Sequence, residues 1–315
     1  MGGCDSNVKT AASVAARVIA LTIVLFICFA VAGAVIGPLD NSRGSEQGPA
    51  VALILLAVCF MQTVVVTHII LRSRWTGWRL AAAICFVFYG VTTFMSQIES
   101  MVFLTRLPAG LIPRLFLMGA LIAVPFSMLA VLILGKRKAA IADSQPDSRV
   151  AMPAREWAWK LVVVALLYVS LYFTFGYFIA WKNPAVLEYY SGIDEGSFVA
   201  HMGTVVRETP WLIPFQIIRA MLWVALALPV IRMLKGQWPE TALSIGLLFS
   251  VVMNAQLLLP NPYMPEPVRM AHLVETASSN FIFGVFIGWL LTPRVALAKP
   301  SPSPDGSAVS PSPTA

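Results

Sequence analysis

Eight long apolar runs constrain this chain more than any other feature in it. They lie near 15–36, 50–71, 77–104, 111–134, 157–181, 211–234, 241–259 and 270–291. Each is close to the roughly 20 residues that a helix needs to cross bilayer hydrocarbon. No water is available there to satisfy backbone amides, so spanning runs of this kind must be helical. Composition agrees: 58% of the 315 residues are hydrophobic and 12% are charged, against about 45–50% and about 25% in soluble domains. The expected fold class is an all-α integral membrane protein with eight transmembrane helices. Residues 1–298 form one polytopic domain, and its first partner is the lipid bilayer.

Lysine and arginine set the orientation, because cytoplasmic connections carry an excess of them. Most of the 22 in the chain fall on one side, around Arg72, Arg74 and Arg79, around Lys136–Lys138, around Arg232 and Lys235, and at both ends of the chain. Arg43, Arg106, Arg114, Lys182, Arg207, Arg219 and Arg269 fall on the other side or at helix ends next to it. Both termini are therefore expected to be cytoplasmic. The absence of N-x-S/T sequons fits a bacterial plasma (inner) membrane. No clustered basic face on a soluble domain suggests a nucleic-acid partner.

The basic connection 135–156 separates two four-helix halves. The Pro/Ser-rich tail 299–315 reads as a disordered cytoplasmic extension. A faint repeat is present: Arg106 precedes Leu111–Pro113 and Arg207 precedes Leu212–Pro214, both reading LIP. At the N-terminus, MGGCDS fits a short acylation pattern, and Ala32-Gly33-Ala34 resembles a signal-peptidase site. Because further spans follow directly, an uncleaved first helix without acylation is expected. Cys4, Cys28, Cys59 and Cys85 show no CxxC pair or metal spacing.

The longest outer connection, 182–210, contains an amphipathic segment. Phe198, Met202, Val205 and Val206 share one face, with His201, Thr204 and Glu208 on the other. This is the pattern of a helix lying on the membrane surface, with His201 toward water. Trp181, Tyr189, Tyr190 and Trp211 flank it as an aromatic belt.

Polar residues inside spans are costly to bury, so they mark candidate functional positions. In the last span, His272, Glu275, Thr276, Ser279 and Asn280 fall within an arc of roughly 140°. Gly284 and Gly288 further along permit close helix contact. In span three, Tyr89, Thr92, Thr93, Ser96, Glu99 and Ser100 form a comparable stripe. Span six carries Gln216 and Arg219 on one face, and span seven carries Asn254 and Gln256, which point to different faces. Nearly all of these lie in the outer half of the bilayer; Gln62 and His68 are the exceptions, and His68 reads as an interfacial residue.

These positions define the candidate site, a polar cavity open to the extracytoplasmic side. Glu275, His272 and Glu99 are its acid–base groups. Arg219, Arg269, Gln216, Asn280 and Arg114 are its ligand-binding groups, since guanidinium suits phosphate and carboxylate. The arginines are also the available partners for the two glutamates. His272 and Glu275 at i and i+3 could hold a metal with His201 or Glu99, but no HExxH motif is present and no metal or other cofactor is assigned. There is no Walker loop, no GxSxG and no dinucleotide fingerprint. Three readings fit: a site that binds or modifies an anionic lipid headgroup or small molecule, a secondary transporter, or a structural subunit without a ligand. Oligomeric partners are not legible.

Overall fold

The computed structural model describes residues 2–37, 48–104, 107–137 and 152–292. Most of the connection 135–156, the tail 299–315, Arg43, Arg106 and the side chains of the acylation pattern lie outside the described residues. The protein is all-α and multipass. Among the described residues, eight helices are long and apolar enough to span a membrane: Ala11–Ile36, Pro49–Arg72, Gly77–Phe103, Leu111–Ile133, Ala154–Ala180, Leu212–Met233, Trp238–Leu258 and Glu266–Leu291. They are called spans one to eight. Two shorter helices, Pro184–Tyr189 and Phe198–Glu208, lie between spans five and six.

Spans seven and eight begin three or four residues earlier than their hydropathy suggests. Both carry proline in the first turn, where its missing N–H would have no helical partner anyway. The Pro265-Glu266-Pro267 segment thus starts span eight instead of forming a separate turn before it. Along span one, Ile19, Ile23, Ile27, Val31 and Val35 form an exposed row at four-residue spacing. An apolar stripe of that length is what a lipid-facing surface requires.

Three spans depart from plain α-helix. Five-residue π turns occur at Gly90–Phe94 in span three, Gly176–Ala180 in span five and Leu248–Val252 in span seven. All three lie in the later half of their span, toward the end of the bundle opposite Arg72, Arg74 and Lys136. A π turn inserts a residue into the helical period, so side chains before and after it face different neighbours. The polar stripe of span three is shared among three neighbours. Thr93 lies against Gly119 of span four, Ser96 Oγ accepts from Gln256 of span seven, and Glu99 meets Arg219 of span six.

The packing follows a two-fold pattern. Span one packs on spans two and four, and span three on span four; likewise span five packs on spans six and eight, and span seven on span eight. Between the halves, span two meets span seven and span three meets span six, two contacts that interchange when the halves do. The linkers after spans two and six pair reciprocally. Arg74 N–H donates to Met233 O at 2.7 Å and Lys235 N–H to Arg72 O at 3.0 Å, making an antiparallel bridge between Ser73 and Leu234. The LIP repeat matches span four to span six, so it is not the repeat that the packing follows.

Below this, the halves meet through packed side chains. Trp223 and Phe249 have centroids 4.3 Å apart, and Leu226 lies against Gly90. Spans seven and eight approach through glycine: a Cβ on Gly288 would sit 2.4 Å from Ala242 Cα, and one on Gly284 2.7 Å from Ile245 O.

Candidate functional site

Ionisable side chains from four spans gather at the end of the bundle opposite the basic linkers. Arg219 of span six donates from Nη1 to Glu99 Oε1 of span three at 3.1 Å and from Nη2 to Oε2 at 2.8 Å. Its Nη1 also donates to Gln216 Oε1, one turn away, at 3.1 Å. The guanidinium is 5.9 Å from the ring centroids of both Tyr168 and Phe215. Gln216 and Arg219 are buried, yet Gln216 Nε2 and Arg219 Nε have no hydrogen-bond partner among the described residues. A buried N–H without an acceptor costs about 1–3 kcal/mol, so these two donors are costly where they lie.

Beside this pair, span eight supplies a second unit. His272 Nδ1 and Glu275 Oε2 are 2.8 Å apart, and Tyr190 Oη is 3.2 Å from His272 Nε2. The i,i+3 spacing on one helix turn brings the imidazole and carboxylate together. Gly176, in the π turn of span five, lies beside them: a Cβ there would be 3.4 Å from Glu275 Oε1, an ordinary van der Waals contact. Thr276 Oγ1 is 2.7 Å from Asn254 Oδ1 of span seven, which anchors this turn of span eight. The two units are electrostatically joined: the charges of Glu99, Arg219 and Glu275 all act on the phenols of Tyr168 and Tyr172.

The outer connection closes over this cluster. His201, expected to face water, instead lies between Tyr177 and Trp181, with ring centroids 5.4 and 5.5 Å away. The end of span five presents an aromatic surface there, and the helix 198–208 turns its histidine into it. Burial holds the His201 imidazole below its ordinary value, with Lys182 acting in the same direction and Glu195, 3.6 Å away, partly opposing. Burial also holds the Tyr190 phenol well above its usual value, with Tyr189, Glu99 and Glu275 adding to the effect. Tyr190 is therefore a proton donor at neutral pH. Tyr189 Oη donates to Tyr263 O at 2.6 Å, fixing the short helix 184–189 to the entrance of span eight.

Glu99, Arg219, Gln216, His272 and Glu275 thus come together; the other three expected residues have separate contacts. Arg269 Nη1 donates to Leu257 O and Leu259 O at 2.9 and 2.5 Å, capping the end of span seven. Asn280 Nδ2 lies 3.3 Å from Met253 Sδ, within the spans seven–eight contact. Arg114 Nη2 donates to Ile36 O at 2.7 Å, capping span one. Tyr190, Tyr168, Tyr172 and Gly176 are additions. The i,i+4 tyrosines of span five were a readable signal of a polar face, but Gly176 had none.

Among the described residues, no three His, Cys, Asp or Glu side chains converge to hold a metal ion. An open, mainly apolar groove of about 460 Å³ lies between spans seven and eight, lined by Ser250, Ala277, Ser278, Phe281 and Ile282. It shares no residue with the polar cluster. Comparison of the chain with protein-family models, with curated proteins and with solved structures finds no match.

Proposed function

We propose that this multipass membrane protein works from the extracytoplasmic half of a cell (inner) membrane, with both termini cytoplasmic, and binds or modifies an anionic lipid headgroup or small molecule. The positive-inside bias supports the orientation. The observation that carries the site is the pair of buried, unpartnered donors, Gln216 Nε2 and Arg219 Nε, beside the His272–Glu275 pair. A phosphate or carboxylate oxygen would be received by the donors of span six, and acid–base chemistry would come from span eight. Toward the basic end the halves meet through apolar packing and the Ser73–Leu234 bridge, which favours a site with one entrance.

A second reading, transport, is favoured by one specific observation. The halves pack as parallel repeats, and π turns interrupt spans three and seven. Interrupted helices in corresponding positions of two repeats are a feature of transporter binding sites.

The test is mass spectrometry of small molecules and lipids co-purified with the full chain, wild type beside Arg219→Lys. Lysine keeps the charge but not the planar fork of donors. An anionic molecule retained by wild type and lost from the variant is expected. Clean spectra from both proteins would overturn the ligand reading. If the variant also melted much lower, the cluster would be a structural ion pair.

A further inference from the structure

The Glu275–His272–Tyr190 chain has a direction. An ionised carboxylate only accepts hydrogen bonds, so the His272 nitrogen facing Glu275, Nδ1, carries the proton. In the neutral ring Nε2 is then the acceptor, and Tyr190, a phenol held in its protonated form, donates to it across 3.2 Å. A base oriented by a third group, with its free nitrogen on a hydroxyl, is the general arrangement of activated proton-transfer sites. Tyr190, however, is not on a span. It sits at the end of the short helix Pro184–Tyr189, in the outer connection that covers the cluster.

We infer that His272 is the general base of the site, that it reacts through Nε2, that Glu275 positions it, and that Tyr190 is a removable cap on that nitrogen carried by the outer connection. This rests on the proposed ligand site and deepens it. The ligand must bring a proton donor, a hydroxyl or ammonium group or a water, to the position that the Tyr190 hydroxyl occupies when the connection is closed. In the step itself, the ligand's O–H or N–H bond breaks, the electron pair stays on the ligand atom, and the proton moves to Nε2. The imidazolium so formed lies against the Glu275 carboxylate. The charged or titratable groups facing His272 are Glu275 on its own helix, Tyr190 on the outer connection and Glu99 on span three.

Histidine-nitrogen NMR on the full chain in nanodiscs tests this directly. The chain has 3 histidines, so a His68→Gln/His201→Gln background leaves His272 alone. The expected spectrum shows Nδ1 protonated and Nε2 unprotonated. Tyr190→Phe should shift the Nε2 resonance and speed carbethoxylation of His272 by diethylpyrocarbonate severalfold, because the cap loses its hydrogen bond. Glu275→Gln should populate the second tautomer, a signature that loss of packing alone would not produce. A wild-type ring protonated at Nε2 at pH 8, alone or together with Nδ1, would overturn the inference without recourse to any site variant. So would a Tyr190→Phe protein with unchanged Nε2 shift and unchanged modification rate. The tautomer is read without ligand, so its failure is distinct from clean mass spectra, which would sink the ligand reading alone.

Discussion

Arg219 holds Glu99 through two parallel hydrogen bonds of 3.1 and 2.8 Å, and in doing so ties span six of one half to span three of the other. The two side chains differ in exposure: 3% for Arg219 and 28% for Glu99. That difference makes their removal unequal. Glu99→Ala strands a guanidinium with almost no access to water and should cost about 3–5 kcal/mol, the range for breaking a buried pair from one side. Arg219→Met leaves a carboxylate that water can partly reach, so its cost should be smaller. The double variant Glu99→Leu/Arg219→Met should recover much of the loss. At the basic end, Arg72 also grips Glu240, but that pair is half exposed on the arginine side and Glu240→Gln should cost about 0–1 kcal/mol. Denaturation in mixed micelles would measure all four, and equal small losses for both Glu99→Ala and Arg219→Met would refute this account.

Close approach of spans seven and eight gives a second expectation. A Cβ on Gly288 would meet Ala242 backbone atoms at 2.4 and 2.9 Å, and backbone cannot move aside as a side-chain tip can. Gly288→Ala should therefore destabilise by about 1–3 kcal/mol, as overpacking does. Gly33, in span one, has nothing within 4 Å of its Cβ position, and Gly33→Ala should be neutral or stabilise by up to about 1 kcal/mol through helix propensity. Melting temperatures of the two variants in one detergent would decide it. A Gly288→Ala protein melting with the Gly33→Ala protein would mean that the two helices do not pack as described.

The eight spans are legible because they depend on run length and hydropathy, which are read directly. Gly284 and Gly288 could be read as contact points for the same reason: a small residue in a lipid-facing helix has few other uses. The π turns were not legible, because a helical wheel assumes a constant period. Past the π turn at Gly90–Phe94, Ser96 meets span seven and Glu99 meets span six. Arg269 reaches the carbonyls that end span seven and Arg114 the one that ends span one; a guanidinium near a helix end can cap a neighbouring helix as readily as pair with glutamate, and sequence carries no record of which neighbour is near. Tyr190 was hidden among belt tyrosines, and only the fold of the outer connection brings it to His272.

Acid should loosen the outer connection through His201. Burial between Tyr177 and Trp181 holds its folded-state value below the ordinary 6.5, so the unfolded segment binds protons more readily than the folded one. Stability from the neutral ring is thus fully present above about pH 6.5 and is lost as pH falls through the depressed folded value. Glu195 opposes the shift and Lys182 reinforces it. Hydrogen exchange of residues 198–208 should accelerate between pH 7.5 and pH 5, after correction for intrinsic rates, and His201→Gln should remove most of that dependence. Identical pH profiles for wild type and variant would show that His201 is not the sensitive group.

The bridge between Ser73 and Leu234 separates the two functional readings, because transport requires the halves to part there and a one-entrance site does not. The two residues are a non-hydrogen-bonded antiparallel pair, flanked by the bonds from Arg74 to Met233 and from Lys235 to Arg72. Cα atoms of such pairs are about 4.5 Å apart, within the range a disulfide spans. In a background lacking Cys4, Cys28, Cys59 and Cys85, Ser73→Cys/Leu234→Cys should cross-link readily under oxidation in nanodiscs. A reporter cysteine at Thr67, on span two and only 3% exposed, then reads whether water reaches it. It should resist a water-soluble maleimide equally with the link open and closed, as expected for halves that stay together while the far end works. Labelling of the open form that the link abolishes would instead mean that water reaches the interface from the basic end, and the protein would then be a transporter whose Glu99–Arg219 pair closes the other side.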